Sequence, residues 1–196
     1  QYRDKTDILT RSIIDHPEMD VLRMEGSIRG GFTGGINNMH SAITGPLIWN
    51  AQHDDDVYKY YMEDPGTNVE YVMREGLRLF NSIPATREIL PEDNFIVDGK
   101  KVPVGTKLFL STYGINTDPR SWDEPLEYNP SRFEGKEDIA YMTTRGFVPY
   151  GIGAEIGGRP CSARFFNSHL IRVVVGKLLR SYKFVYIGGK GFEFKQ

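Results

Sequence analysis

The sequence predicts a mainly α-helical chain with a small β region, an α+β fold, and three observations carry that expectation. Apolar residues recur at helical spacing near both ends of the chain, short β-branched and aromatic runs separated by turn residues lie in its middle, and 39% of the 196 residues are hydrophobic. That length and composition suit one packed domain over residues 1–196, with no sign of a disordered tract or internal repeat.

From Asp4 to about Asn50 the pattern is helical, with Ile8, Leu9, Ile13 and Ile14 as an apolar stripe and a break at His16-Pro17. The second helical run carries Gly30-Gly31-Phe32-Thr33-Gly34-Gly35. Glycine in a helix interior costs about 1 kcal/mol relative to alanine, so close approach of something bulky is expected there. After Asp54-Asp55-Asp56, a helix is predicted from about Asn68 to Phe80, ended by Pro84. Phe95-Ile96-Val97 and Lys107-Leu108-Phe109-Leu110 follow as strands, set off by Asp98-Gly99 and Pro103-Val104-Gly105. From Asn116 to Gly146 the chain is rich in Asp, Pro, Glu and Gly and predicts an irregular, packed meander. A glycine-rich loop from Gly151 to Gly158 leads to Cys161 and a helix from about Ser162 to Arg180. That helix is expected to carry Phe166, Leu170, Val173, Val174 and Leu178 on its apolar face, and Arg164, Arg172 and Arg180 on the other. The tail, Phe184 to Phe194, predicts a hairpin turning near Gly188-Gly189.

A net charge of −2 without a base-reading motif argues against a nucleic-acid partner. One cysteine makes no internal disulfide, a usage that suits a reducing compartment. No stretch approaches the ~20 apolar residues of a membrane-spanning helix. The chain begins Gln1-Tyr2-Arg3 without an initiator methionine, so an upstream anchor or targeting segment is left open and localisation is unassigned. The four histidines, His16, His40, His53 and His169, lack metal-ligand spacing.

Three motifs stand out. Glu75-Gly76-Leu77-Arg78 sets an acid and a base three residues apart, on one helix face, with Arg87 nine residues beyond Arg78. Asn129-Pro130-Ser131-Arg132-Phe133 follows Trp122-Asp123-Glu124-Pro125. Phe147-Val148-Pro149-Tyr150-Gly151 precedes Gly158-Arg159-Pro160-Cys161-Ser162-Ala163, which runs straight into a helix. Each alone is weak: such ion pairs sit on most solvated helices, and a single cysteine is most often buried filler. In order and spacing, with the strand region between them, they resemble the cytochrome P-450 family from its distal helix to near its end.

The resemblance implies the C-terminal half of the P-450 fold and a haem b (iron protoporphyrin IX) cofactor, with Cys161 as the thiolate ligand of the iron. Glu75, Arg78 and Arg132 would form the family's scaffold triad behind the haem. Arg87 and Arg159 would pair with the propionates, while Tyr150 and Gly157 would lie in the loop against the porphyrin. A cysteine at a helix start meets free N–H groups and the positive end of the dipole, which favour sulfur as the anion. The implied activity is a haem-thiolate monooxygenase or peroxygenase acting on a small apolar organic substrate. The amino-terminal half that roofs the pocket is not in these residues, so an upstream segment or partner chain would complete it. From Arg159 onward there are eight basic residues and one acidic residue, and an electron-donor protein is expected at that proximal face.

The sequence also departs from the family pattern. Tyr150 stands eleven residues before Cys161, where most members have an aromatic seven before, and Ala163 replaces a glycine. In the distal helix, Gly35-Ile36-Asn37-Asn38 sets two amides where an acid and an alcohol deliver protons to dioxygen. Asparagine supplies no titrating proton, so Asn37 and Asn38 point to peroxide-using or hydroperoxide-rearranging chemistry; capping or kinking a helix is their plain alternative. His40, one turn after Ile36, could face the same pocket. A non-catalytic interaction module that keeps the triad around a vestigial pocket is the competing expectation.

Overall fold

The computed structural model describes residues 15, 17–18, 20–80, 84–136, 146–151, 161, 163–187 and 192–195, several of them in 21–38 and 192–195 by backbone alone. They fall into two compact units, residues 1–40 and 41–196. Ile8, Leu9, Ile13 and Ile14 lie outside the described residues.

In the first unit the chain turns at Pro17-Glu18, and helix α1 (Val21–Gln52) begins three residues later. The Asp20 carboxylate accepts a hydrogen bond from the Leu22 N–H at 3.2 Å, satisfying one donor of the first turn. A Cβ added at Gly30 or Gly34 would meet nothing within 4 Å, and one at Gly35 would touch only Met39. The bulky neighbour expected at these glycines is therefore not among the described residues.

The second unit contains the end of α1, then α2 (Asp56–Glu63), α3 (Asn68–Phe80), β1 (Ala85–Glu88), β2 (Ile96–Val97), β3 (Lys100–Lys101), β4 (Lys107–Leu110), α4 (Thr112–Asn116), a 3₁₀ turn (Pro130–Phe133), α5 (Arg164–Ser181), β5 (Lys183–Tyr186) and β6 (Phe192–Lys195). Among the described residues three antiparallel ribbons form: β1 with β4, β2 with β3, and β5 with β6. Ala85 faces Leu110 and Arg87 faces Leu108 across the first, all four residues of β1 are exposed, and Phe109 is 72% exposed.

Helix α3 is the centre of this unit. Of its residues only Glu70 and Phe80 are not buried, so the helix has no solvated face and its charged side chains must find partners inside. Close packing of α1 against α3 depends on two glycines. A Cβ at Gly76 would stand 2.8 Å from Pro46 Cγ and 3.0 Å from the Ala42 carbonyl oxygen. Pro46 lacks the N–H that would have bonded that carbonyl, and Gly76 lets α3 close over the resulting break in α1. At Gly45 a Cβ would collide with the Phe80 ring.

On α5 the structure corrects the expected face. Its buried residues are Asn167, Ser168, Ile171, Val175, Gly176 and Leu179, whereas Phe166 and Val173 are exposed. Apolar side chains occur all round this helix, and small residues decide which side packs: a Cβ at Gly176 would come within 3.1 Å of Val69 on α3. Arg172 is likewise not simply solvated, since its Nη1 lies 3.3 Å from Glu70 Oε2 and ties α5 to α3.

Candidate functional site

The Arg78 guanidinium, buried in α3, is satisfied donor by donor. Arg78 Nε and Nη2 donate to the two oxygens of Glu75 at 2.6 and 2.7 Å. Nη1 donates to the carbonyls of Asn116 and Pro125 at 2.9 and 2.7 Å, and Nη2 gives its second hydrogen to Glu127 O at 3.0 Å. All five N–H groups of the guanidinium are thus used in a site with no exposure. Glu75 Oε1 also accepts the Asn129 N–H at 2.9 Å. Arg132 completes the cluster: its Nε lies 3.3 Å from Glu75 Oε1, too poorly aligned for a hydrogen bond, while its Nη groups donate to the carbonyls of Asp123 and Glu124. Trp122 covers the Arg78 guanidinium at 5.1 Å from the ring centroid and donates its indole N–H to Gly146 O at 2.7 Å. Burial, then the Glu75 carboxylate, hold the neighbouring Tyr128 phenol well above its usual range, and it donates to Val72 O at 2.6 Å. Glu75, Arg78 and Arg132 are therefore brought together, and they grip the meander chiefly through its backbone.

Asn116 extends the cluster toward the cysteine, a role no motif announces. Its carbonyl takes the Arg78 hydrogen bond and its side-chain Oδ1 accepts the Val148 N–H at 2.8 Å, two residues before Tyr150. The Tyr150 carbonyl in turn accepts the Cys161 N–H at 2.8 Å. Cys161 is half-buried and precedes α5, whose N-cap residue Ala163 offers no side-chain acceptor to the leading amides. Arg164 closes back, donating from Nη1 to the Cys161 carbonyl at 3.2 Å.

Arg87 lies on β1 with its side chain 64% exposed and Nη2 3.5 Å from Asp93 Oδ1, leaving donors for a second anion. Gly157 and Arg159 lie outside the described residues. Asn37 and Asn38 are helical within α1, but their side chains also lie outside the description; His40 is exposed. A part-exposed thiol just ahead of a helix and a strand guanidinium with spare donors form a donor set that fits a haem, sulfur for the iron and a cation for a carboxylate. Sequence reasoning missed Asn116 and Ser168. Asparagine and serine are common, and nothing in their spacing marks them.

The chain is 25% identical over 205 residues to a geranylhydroquinone 3''-hydroxylase of Arnebia euchroma, covering 96% of this chain and 40% of that one. It is 29% identical over 125 residues to a (+)-piperitol/(+)-sesamin synthase of Sesamum radiatum, covering 64% and 23%. Among solved structures, cytochrome P450EX alpha with myristic acid aligns at a TM-score of 0.60 and 23% identity, over 75% of this chain and 34% of that one. The chain thus spans well under half the length of these relatives. The family profile described as Cytochrome P450 matches residues 67–196, and with most of its length so matched, the chain belongs to the cytochrome P450 family, whose cofactor is haem b.

Proposed function

We propose that this chain is the haem-thiolate portion of an oxidoreductase acting on a small apolar organic substrate, with the Cys161 sulfur as the protein ligand of the iron. The observation that carries the proposal is the placement of Cys161: a half-buried thiol two residues before the N-cap of α5, its backbone fixed by the Tyr150 carbonyl and, through Val148 and Asn116, linked to the buried Glu75–Arg78 pair. When bound, haem supplies the redox centre, and a thiolate ligand pushes electron density that favours O–O bond cleavage.

The remaining roles belong to the chain's own side chains. Arg87, and Arg159 beside the cysteine, would orient the haem by pairing with its propionates. Tyr150 and Gly157 would line the loop against the ring. Glu75, Arg78 and Arg132 hold the backbone behind it and do no chemistry. Asn37 and Asn38 offer amides that can orient a substrate oxygen but cannot relay a proton, which favours peroxide use or hydroperoxide rearrangement over reductive activation of dioxygen. The roof of the substrate pocket comes from an amino-terminal half or partner chain outside these residues. The basic residues from Arg159 onward would receive an electron donor if one is used.

The test is a carbon monoxide difference spectrum of the reduced protein beside its Cys161→Ser variant. A thiolate-type band in the first and none in the second is expected; haem bound without that band in the wild-type protein overturns the proposal. A pigment-free chain held stably by a partner would support a non-catalytic interaction module instead. Turnover with hydrogen peroxide or a lipid hydroperoxide, compared with turnover on dioxygen and a reductase, tests the two asparagines, and activity only with the reductase refutes that part.

A further inference from the structure

Two hydrogen bonds join Tyr150 to other described residues. Its carbonyl accepts the Cys161 N–H at 2.8 Å, and its phenol oxygen lies 2.7 Å from Ser168 Oγ. Ser168 is 2% exposed on the packed face of α5, seven residues beyond Cys161 in the sequence. The contacts therefore close a ring, from Cys161 along α5 to Ser168, across to Tyr150, and back to Cys161. Ten residues, 151–160, separate Tyr150 from Cys161 along the chain, and closing a segment of that length has an entropic cost that these two bonds help to offset. A phenylalanine at position 150 would fill nearly the same volume and leave Ser168 without this bond, so the phenol hydroxyl has a specific use here.

We propose that Ser168 is a positioning residue for Cys161, acting through Tyr150: its hydroxyl fixes the tyrosine, and the tyrosine carbonyl fixes the backbone that carries the sulfur. The inference rests on the proposal that Cys161 is the iron ligand only for its consequence at the haem; the backbone linkage stands apart from it.

The experiment compares the full chain with Tyr150→Phe, Ser168→Ala and the double variant, by two readouts. The first is hydrogen exchange at the Cys161 amide. Each single variant is expected to accelerate it about tenfold, the equivalent of one modest hydrogen bond, and the double variant no further, with Ile171 and Val175 amides on α5 unchanged. The second is the share of the reduced, carbon monoxide-bound haem protein that shows the thiolate-type band across a pH series, expected to fall equally in both single variants. Wild-type exchange at Cys161 in either single variant overturns the proposal, as does a double variant whose acceleration is the product of the singles. Should exchange respond as expected while even the wild-type protein lacks a thiolate band, the iron-ligand assignment fails and the positioning of the Cys161 backbone by Ser168 stands.

Discussion

Arg78 meets Glu75 face to face inside α3, two nitrogens on two oxygens at 2.6 and 2.7 Å, with neither side chain exposed. A pair so enclosed contributes little net stability while intact, because both charges gave up water to form it. Breaking it is another matter, since the survivor keeps a buried charge without a partner.

Glu75→Ala and Arg78→Ala are each expected to lose about 3–5 kcal/mol of unfolding free energy in urea and to lose haem occupancy. Arg78→Lys should not rescue, because three donors on a flexible stem cannot serve the five bonds of a planar fork. Arg132→Ala is expected to lose less, its side chain being 11% exposed. A Glu75→Ala protein with full haem content contradicts the scaffold role.

Gly76→Ala should destabilise the protein by about 1–3 kcal/mol through overpacking alone, although alanine is the better helix former. The added carbon would meet the Pro46 ring and the Ala42 carbonyl. Thermal unfolding of this variant beside Gly66→Ala, where only an exposed aspartate tip lies near, gives the comparison.

Trp122→Phe keeps an aromatic face over Arg78 but removes the indole N–H from Gly146 O, at an expected cost of about 1–2 kcal/mol. Gly146 has φ +96°, so the carbonyl bonded by Trp122 also fixes a backbone conformation that other residues avoid. Denaturant unfolding measures the cost.

Asp118 should titrate near pH 2. Its carboxylate is held down from the ordinary 3.8 to about 2, first by side-chain hydrogen bonds from Arg120 and then by the Arg120 backbone N–H. Because the folded value lies below the unfolded one, the stabilisation is fully present above about pH 3.8 and disappears as pH falls through about 2. The Arg120 side chain is 88% exposed, so the midpoint observed by carboxyl-carbon NMR should move back toward the ordinary value in high salt or in Arg120→Ala.

Much of this architecture is legible in the sequence. The Asn68–Phe80 helix, the strands at Ile96–Val97 and Lys107–Leu110 and the final hairpin follow from periodicity and turn chemistry. The proximity of Glu75 to Arg78 follows from a three-residue helical spacing. What periodicity could not give is the side of α5 that packs, because Phe166 and Val173 are as apolar as Ile171 and Val175, and the choice falls to Ser168 and Gly176. The glycines that matter most for packing are Gly45 and Gly76, not the run from Gly30 to Gly35, since a close approach depends on a partner far along the chain. The acceptors of Arg78 are backbone carbonyls, which every residue possesses and which therefore leave no trace in composition.

That last property has an evolutionary consequence. Asn116, Pro125 and Glu127 engage Arg78 through their carbonyl oxygens, so what the arginine recognises is the path of the main chain. Side chains along the meander can drift under selection for other purposes without loosening its hold, provided the loop keeps its course. Related proteins should accordingly diverge more freely in that loop than at the arginine it surrounds.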